Sequence, residues 1–258
     1  MTTEQYPRLI ASLVAGARPF APTVETATAV QVERGTALAG TTAEPLPPVR
    51  ATVIDASGHR RPHYRPLMAY ACAVADVGGV RPWLASLSVD ADVEFGAANG
   101  AQAAAAAWGA LALAVTGDGE PARRLFARLV TAQQASGALL RTTAADNPET
   151  HWYHELVILH AMADYAVRSS DAAAWRAVER ATMFHLNETE TDHATGQPWG
   201  LPAFVRVAGA EPLADGALHA VSAHQPRGAS GVALLLLADT LYGLRNAPGR
   251  VASENVSR

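Results

Sequence analysis

The sequence predicts an all-α fold built from antiparallel helical hairpins, and three observations carry that expectation. Long stretches consist of strong helix formers, as in AQAAAAAWGALALAV (101–115). Short polar turns, GDGE (117–120) and RSSD (168–171), separate such stretches, and short connections make neighbouring helices antiparallel. Strand patterns do not recur between the helices, which argues against an α/β sheet.

Taken in order, helices are expected at about 4–17 and 25–36. A Pro-rich loop follows at about 37–63, with strand-like character only in RATVIDASG (50–58). Further helices are expected at 66–78, 80–88 and 98–116. PARRLFARLVTAQQ (121–134) is amphipathic, with Pro121 suited to a first turn. HWYHELVILHAMADYAVR (151–168) starts behind Asn147-Pro148, a cap followed by a first helical position. AAAWRAVERATMFHL (172–186) comes next, then a hairpin over about 200–224 with a helix at 213–223. SGVALLLLADTLYGLRN (230–246) is stopped by Pro248 and Gly249. No composition shift marks a second domain, so 1–258 reads as one α/α domain whose hairpins form an α/α toroid or a short solenoid arc.

Composition narrows the function classes. Hydrophobic residues make up 49% of the 258-residue chain and charged residues 17%, a globular rather than a disordered balance. Net charge is −4 and the one basic cluster, HRRPHYR (59–65), is broken by proline, so no nucleic-acid partner is expected. No apolar run approaches the roughly 20 residues of a membrane span. MTTEQYPRLIASLVAGARPF lacks the regions of a signal peptide, so the chain reads as soluble and cytoplasmic. The single cysteine, Cys72, excludes an intramolecular disulfide and reads as a small buried hydrophobe.

AAAWGALALAV…RRLFARLVTAQQASGALL resembles one hairpin of the α/α toroids, the superfamily of terpenoid cyclases and prenyltransferases and the toroidal polysaccharide lyases. In the cyclases a helix often ends in Q-x-x-x-G-x-[WF]; Gln133, Gly137 and Leu139 match this without the aromatic. The resemblance covers about 90–250 and implies a fold more than an activity. Toroidal lyases use Asn, His, Tyr and Arg at one rim, and Asn147, His151, Tyr153, His219, His224 and Arg227 are similar in kind, though not residue by residue. A cyclase-like activity is the lesser implication: SVDADVE (88–94) is similar to DxDD, but Val93 takes the last acidic place, and no DDxxD occurs.

Up-down alternation gathers the reactive side chains at one end. If 98–116, 151–167 and 228–246 run one way, their starts meet the ends of 119–135, 171–186 and 213–223. That rim collects DADVEFGAANG (90–100), ASGALLRTTAADNPETH (135–151), HLNETETDHATGQPWG (185–200) and HAVSAHQPRGAS (219–230). At about 100° per residue, His151, His154 and Glu155 share one arc of their helix, and Ile158, Met162 and Tyr165 continue that face as apolar wall. His160 and Asp164 face away and read as a local i,i+4 pair.

The expected catalytic set is His151, His154, Glu155, His185 and His193. Trp152, Tyr153, Asn187, Gln197, Trp199, His224 and Arg227 are the expected substrate-binding residues. Imidazole and carboxylate also suit a divalent metal (Zn, Mn or Fe), with His151, His154, Glu155 and Asp192 as ligands. HWYHE is not the HExxH zincin pattern, however. The leading expectation is an enzyme, a lyase or hydrolase, acting on a carbohydrate or similar polar small molecule by His/carboxylate acid–base chemistry, with or without a metal. The alternative is a non-catalytic α/α scaffold that binds a ligand or partner at the same rim.

Overall fold

The computed structural model describes residues 5–16, 66–67, 69–70, 73, 89, 92–142, 148–188, 197–224 and 231–246. The order is α1 (Tyr6–Gly16), a 3-10 turn (Ala97–Asn99), α2 (Gly100–Val115), α3 (Glu120–Ala132), α4 (Pro148–Ser169), α5 (Ala172–Glu188), α6 (Leu201–Phe204), α7 (Glu211–His224) and α8 (Gly231–Asn246). No strand occurs among the described residues, only an isolated bridge between Gly96 and Arg141. The chain is therefore all-α. The expected helices at 25–36 and 80–88, the strand-like 50–58 and Cys72 lie outside the described residues.

Two kinds of helix alternate, and their sequences say why. On α3 the buried positions are Ala122, Leu125, Phe126 and Leu129, a single stripe at helical spacing, while Arg123 and Arg124 face solvent. α4 is buried on nearly every side from Tyr153 to Ala166, so it has no solvent face. An outer helix needs one apolar stripe; a central one needs apolar residues all round. α2 is the second inner helix, where alanines and Gly109 let neighbours approach and Trp108 fills the space between them. Each fully buried Leu or Ile on these faces contributes about 1.5–3 kcal/mol.

The α2–α3 and α4–α5 hairpins pack side by side, α2 on α4 and α3 on α5, and α4 also touches α6 and α8. Contacts fix the directions. Gly100 at the start of α2 meets His154 near the start of α4, and Trp108 further along meets His160, so α2 and α4 run the same way. α5 returns, since His185 near its end stands beside Glu155. α1 packs on α8, and the Tyr6 hydroxyl donates to Asp215 of α7 at 3.0 Å, so the first described helix is joined to the last two.

Gln133 and Gly137 couple the two hairpins. The Gln133 amide donates to the carbonyls of Gly137 (2.8 Å) and Ala177 on α5 (2.9 Å), while its oxygen accepts from Arg180. Gly137 has φ +102°, and a Cβ there would lie 2.5 Å from the Arg180 carbonyl oxygen, so only glycine fits. Two of the differences in extent concern the hairpin ends. α3 stops at Ala132 because Gln133 turns extended. The expected hairpin over 200–224 has only a single helical turn, α6, as its first arm, entered through left-handed Gly200.

Candidate functional site

α4 carries His151, His154 and Glu155 through its first turns, and all three are buried. Glu155 is fully enclosed. One carboxylate oxygen accepts the Leu139 N–H at 2.9 Å and the other the Leu140 N–H at 2.6 Å, so this side chain anchors the chain leaving α3. His151 Nε2 stands 3.6 Å from Glu155 Oε1, and His185 Nε2, arriving from α5, stands 4.0 Å from Oε2. The expected meeting of the α4 start and the α5 end is thus observed, with the carboxyl between two imidazoles.

His154 turns to a different neighbour: a Cβ built at Gly100 would lie 2.7 Å from its Nδ1, so glycine at the start of α2 makes room for the ring. Tyr153 packs edge-on against both His154 and Trp199. Trp199 is enclosed by Trp108, His160 and Tyr153, all within about 6 Å between ring centroids, and Gln197 is buried close by in sequence. Trp152 is half-buried and Asn187 is exposed. Asp192, His193 and Arg227 lie outside the described residues, and of His224 only the backbone, at the end of α7, is described.

Burial sets the protonation of this cluster. Enclosure pushes the Glu155 carboxyl up to about 8, against the pull of the Leu140 and Leu139 amides, which favour the ionised form. Enclosure, with the nearby His151 ring second, pulls the His185 imidazole down to about 3. At neutral pH the cluster therefore holds a protonated carboxyl beside a neutral imidazole. Among the described residues no group of three or more His, Cys, Asp or Glu side chains converges as a metal site.

Comparison of the chain with protein families, curated proteins and solved structures finds no match.

A second polar cluster lies further along α4, and there the expectation of a His160–Asp164 pair is corrected. His160 Nε2 lies 3.2 Å from Asp239 Oδ2 of α8 instead. Asp164 accepts from Tyr70 at 2.9 Å and from Arg168, and Arg168 also donates to Tyr70 (2.9 Å) and Asp239 (3.4 Å). The Tyr70 hydroxyl also meets Asp239, so its one proton is shared between the two carboxyls. The missed signal is periodic: His160, Asp164 and Arg168 stand at i, i+4 and i+8, a polar stripe through an apolar helix, facing the lone acid of VALLLLADTLYGL. Burial raises Asp164 to about 7, with the Asp239 charge adding to it. For Asp239 burial is outweighed by His160 and Arg168, so it is the ionised member of the pair.

Proposed function

We propose that this protein is an enzyme that acts on a carbohydrate or similar polar small molecule by acid–base chemistry, as a lyase or hydrolase, at the start of α4. The observation that carries the reading is Glu155, fully buried between His151 at 3.6 Å and His185 at 4.0 Å. Two titratable groups whose surroundings push their protonation in opposite directions supply a donor and an acceptor at one pH. Here Glu155 is the proton donor and the neutral His185 imidazole is an acceptor. His151, at 4% exposure, is on the substrate side, and Glu155 positions it. The placement of His154 and Tyr153 at the same helix start supports recognition of a hydroxylated ligand. The α2–α3 and α4–α5 pairing supports an α/α arc or toroid as the frame.

A scaffold that only binds is favoured by one fact: Glu155 already ties down the Leu139 and Leu140 amides. Turnover separates the two. A panel of neutral glycosides, uronides and small esters is assayed with and without Zn²⁺, Mn²⁺ or Fe²⁺. The enzyme reading expects turnover of one class and a loss of about 10²–10⁴-fold in His151→Ala. No turnover in any arm leaves the scaffold, and turnover that survives this change removes His151 from the chemistry.

A further inference from the structure

Beside the buried cluster lies a groove of about 860 Å³ lined by Glu94, Phe95, Asn99, Arg128, Thr131 and Arg141, with small residues between them. Its polar equipment is donor-rich: two arginines and an asparagine against one carboxylate. Arg128 is held in place, its Nη2 donating to the Asp92 carbonyl at 3.2 Å while its guanidinium lies 5.6 Å from the Phe95 ring centroid. Arg141 is exposed and forms no ion pair with the described residues, and the Asn99 side chain makes no capping bond to α2. The two are neighbours through the backbone, since Gly96 bridges to Arg141 and its carbonyl accepts the Asn99 N–H at 2.9 Å.

Both walls of this groove are continuous with the His–Glu cluster. On one side Asn99 precedes Gly100, against which His154 is packed. On the other, Arg141 directly follows Leu139 and Leu140, whose amides Glu155 holds. A ligand that displaces either wall therefore acts on the residues that set the buried cluster.

We propose that this groove binds a small polar molecule carrying a single anionic group, with Arg141 as its ionic anchor, and that it is the approach to the His–Glu cluster. An arginine fork suits a carboxylate or a phosphate, Asn99 supplies a further donor, and Glu94 opposes a second negative charge. The second half of the proposal rests on the acid–base reading above; the binding half does not.

The test uses the full-length ¹⁵N-labelled protein and three probes at matched ionic strength: D-glucuronate, inorganic phosphate and D-glucose. Expected are saturable shifts of the Gly96, Asn99 and Thr131 amides with at least one anion, an absence of shifts with glucose, and about tenfold weaker binding in Arg141→Gln. Glucuronate alone identifies a carboxylate ligand, phosphate alone a phosphorylated one, and both together an anion site as such. Equal shifts with glucose, no shift with either anion, or unchanged affinity in Arg141→Gln overturns the proposal. Arg141 is exposed, so this variant tests binding without disturbing the core. Turnover separates the two readings. A raised KM in Arg141→Gln with kcat kept supports the approach role. A lost kcat in His151→Ala with an unchanged KM in Arg141→Gln leaves the enzyme and refutes the approach role of the groove. Anion binding lost on Arg141→Gln, with turnover intact in His151→Ala, does the reverse.

Discussion

Glu155 and Asp164 stand on the same helix and both are fully enclosed, but they have different company. Asp164 has Arg168 bonded to it, and a second acid, Asp239, shares that guanidinium and the Tyr70 hydroxyl and takes His160 for itself. Two carboxyls facing one permanent cation hold one negative charge between them, so the cluster neutralises itself within the core. Among the described residues, Glu155 has only amides and imidazoles within reach. No permanent cation among them balances it, and burial favours the protonated form instead. The first cluster holds α4, α8 and Tyr70 in register, while the second keeps an exchangeable proton near neutrality. That contrast is why the acid–base proposal is placed at Glu155 and not at Asp164.

The contrast is broken most directly at Arg168. Arg168→Met leaves Asp164 and Asp239 buried without their cation, and a loss of about 3–5 kcal/mol in unfolding free energy is expected from urea titration. The loss should be smaller at pH 5 than at pH 8, because protonation of Asp164, raised to about 7, relieves the repulsion. A loss below about 1 kcal/mol would mean that the guanidinium does not balance the two acids, and the distinction between the clusters would fall.

The pH dependence of stability sharpens the same comparison from the other side. Glu155 goes from an ordinary 4.5 in the unfolded chain to about 8 when folded, so the folded state holds the extra proton in that window. Its contribution therefore falls as pH rises from about 4.5 to 8. His185 goes from 6.5 to about 3, so the unfolded chain holds the extra proton there, and stability is lost as pH falls from about 6.5 to 3. Between about 4.5 and 6.5 the two slopes oppose each other. Relative to the parent, Glu155→Gln should gain about 3–4 kcal/mol between pH 5 and 8, and His185→Gln about 3 kcal/mol between pH 6.5 and 4. Parallel curves for parent and Glu155→Gln across pH 5–8 would show that its carboxyl is not held protonated.

The sequence makes one of these clusters easier to read than the other. His151, His154 and Glu155 are i, i+3 and i+4 on one helix, so local periodicity alone places them together. His185 joins them once the hairpin is known to close on itself. The core cluster depends on Tyr70 and Asp239, which are 94 and 75 positions from Asp164. No local rule pairs residues at such separations, and His160 and Asp164 had a nearer, simpler partner in each other. The helices were legible for the reason the core cluster was not: each is specified within a few turns of its own sequence. The first arm of the 200–224 hairpin is a single turn, and its local signals, left-handed Gly200 followed by Pro202, mark where it starts and not how far it runs.

The gentlest perturbation acts where the groove meets the buried cluster, at Gly100. Alanine is the better helix former by about 1 kcal/mol, yet its Cβ would fall 2.7 Å from His154 Nδ1, so the imidazole must shift. These effects oppose each other, and a net loss of only about 1 kcal/mol is expected for Gly100→Ala. The site should respond more than the stability does: His154 ring ¹⁵N shifts should move, and any turnover should fall while the pH–stability curve set by Glu155 keeps its shape. That separation follows from the geometry, because His154 packs on α2 whereas Glu155 is fixed from the α3 side by Leu139 and Leu140. An altered pH–stability curve in Gly100→Ala would instead tie the two walls into one rigid unit.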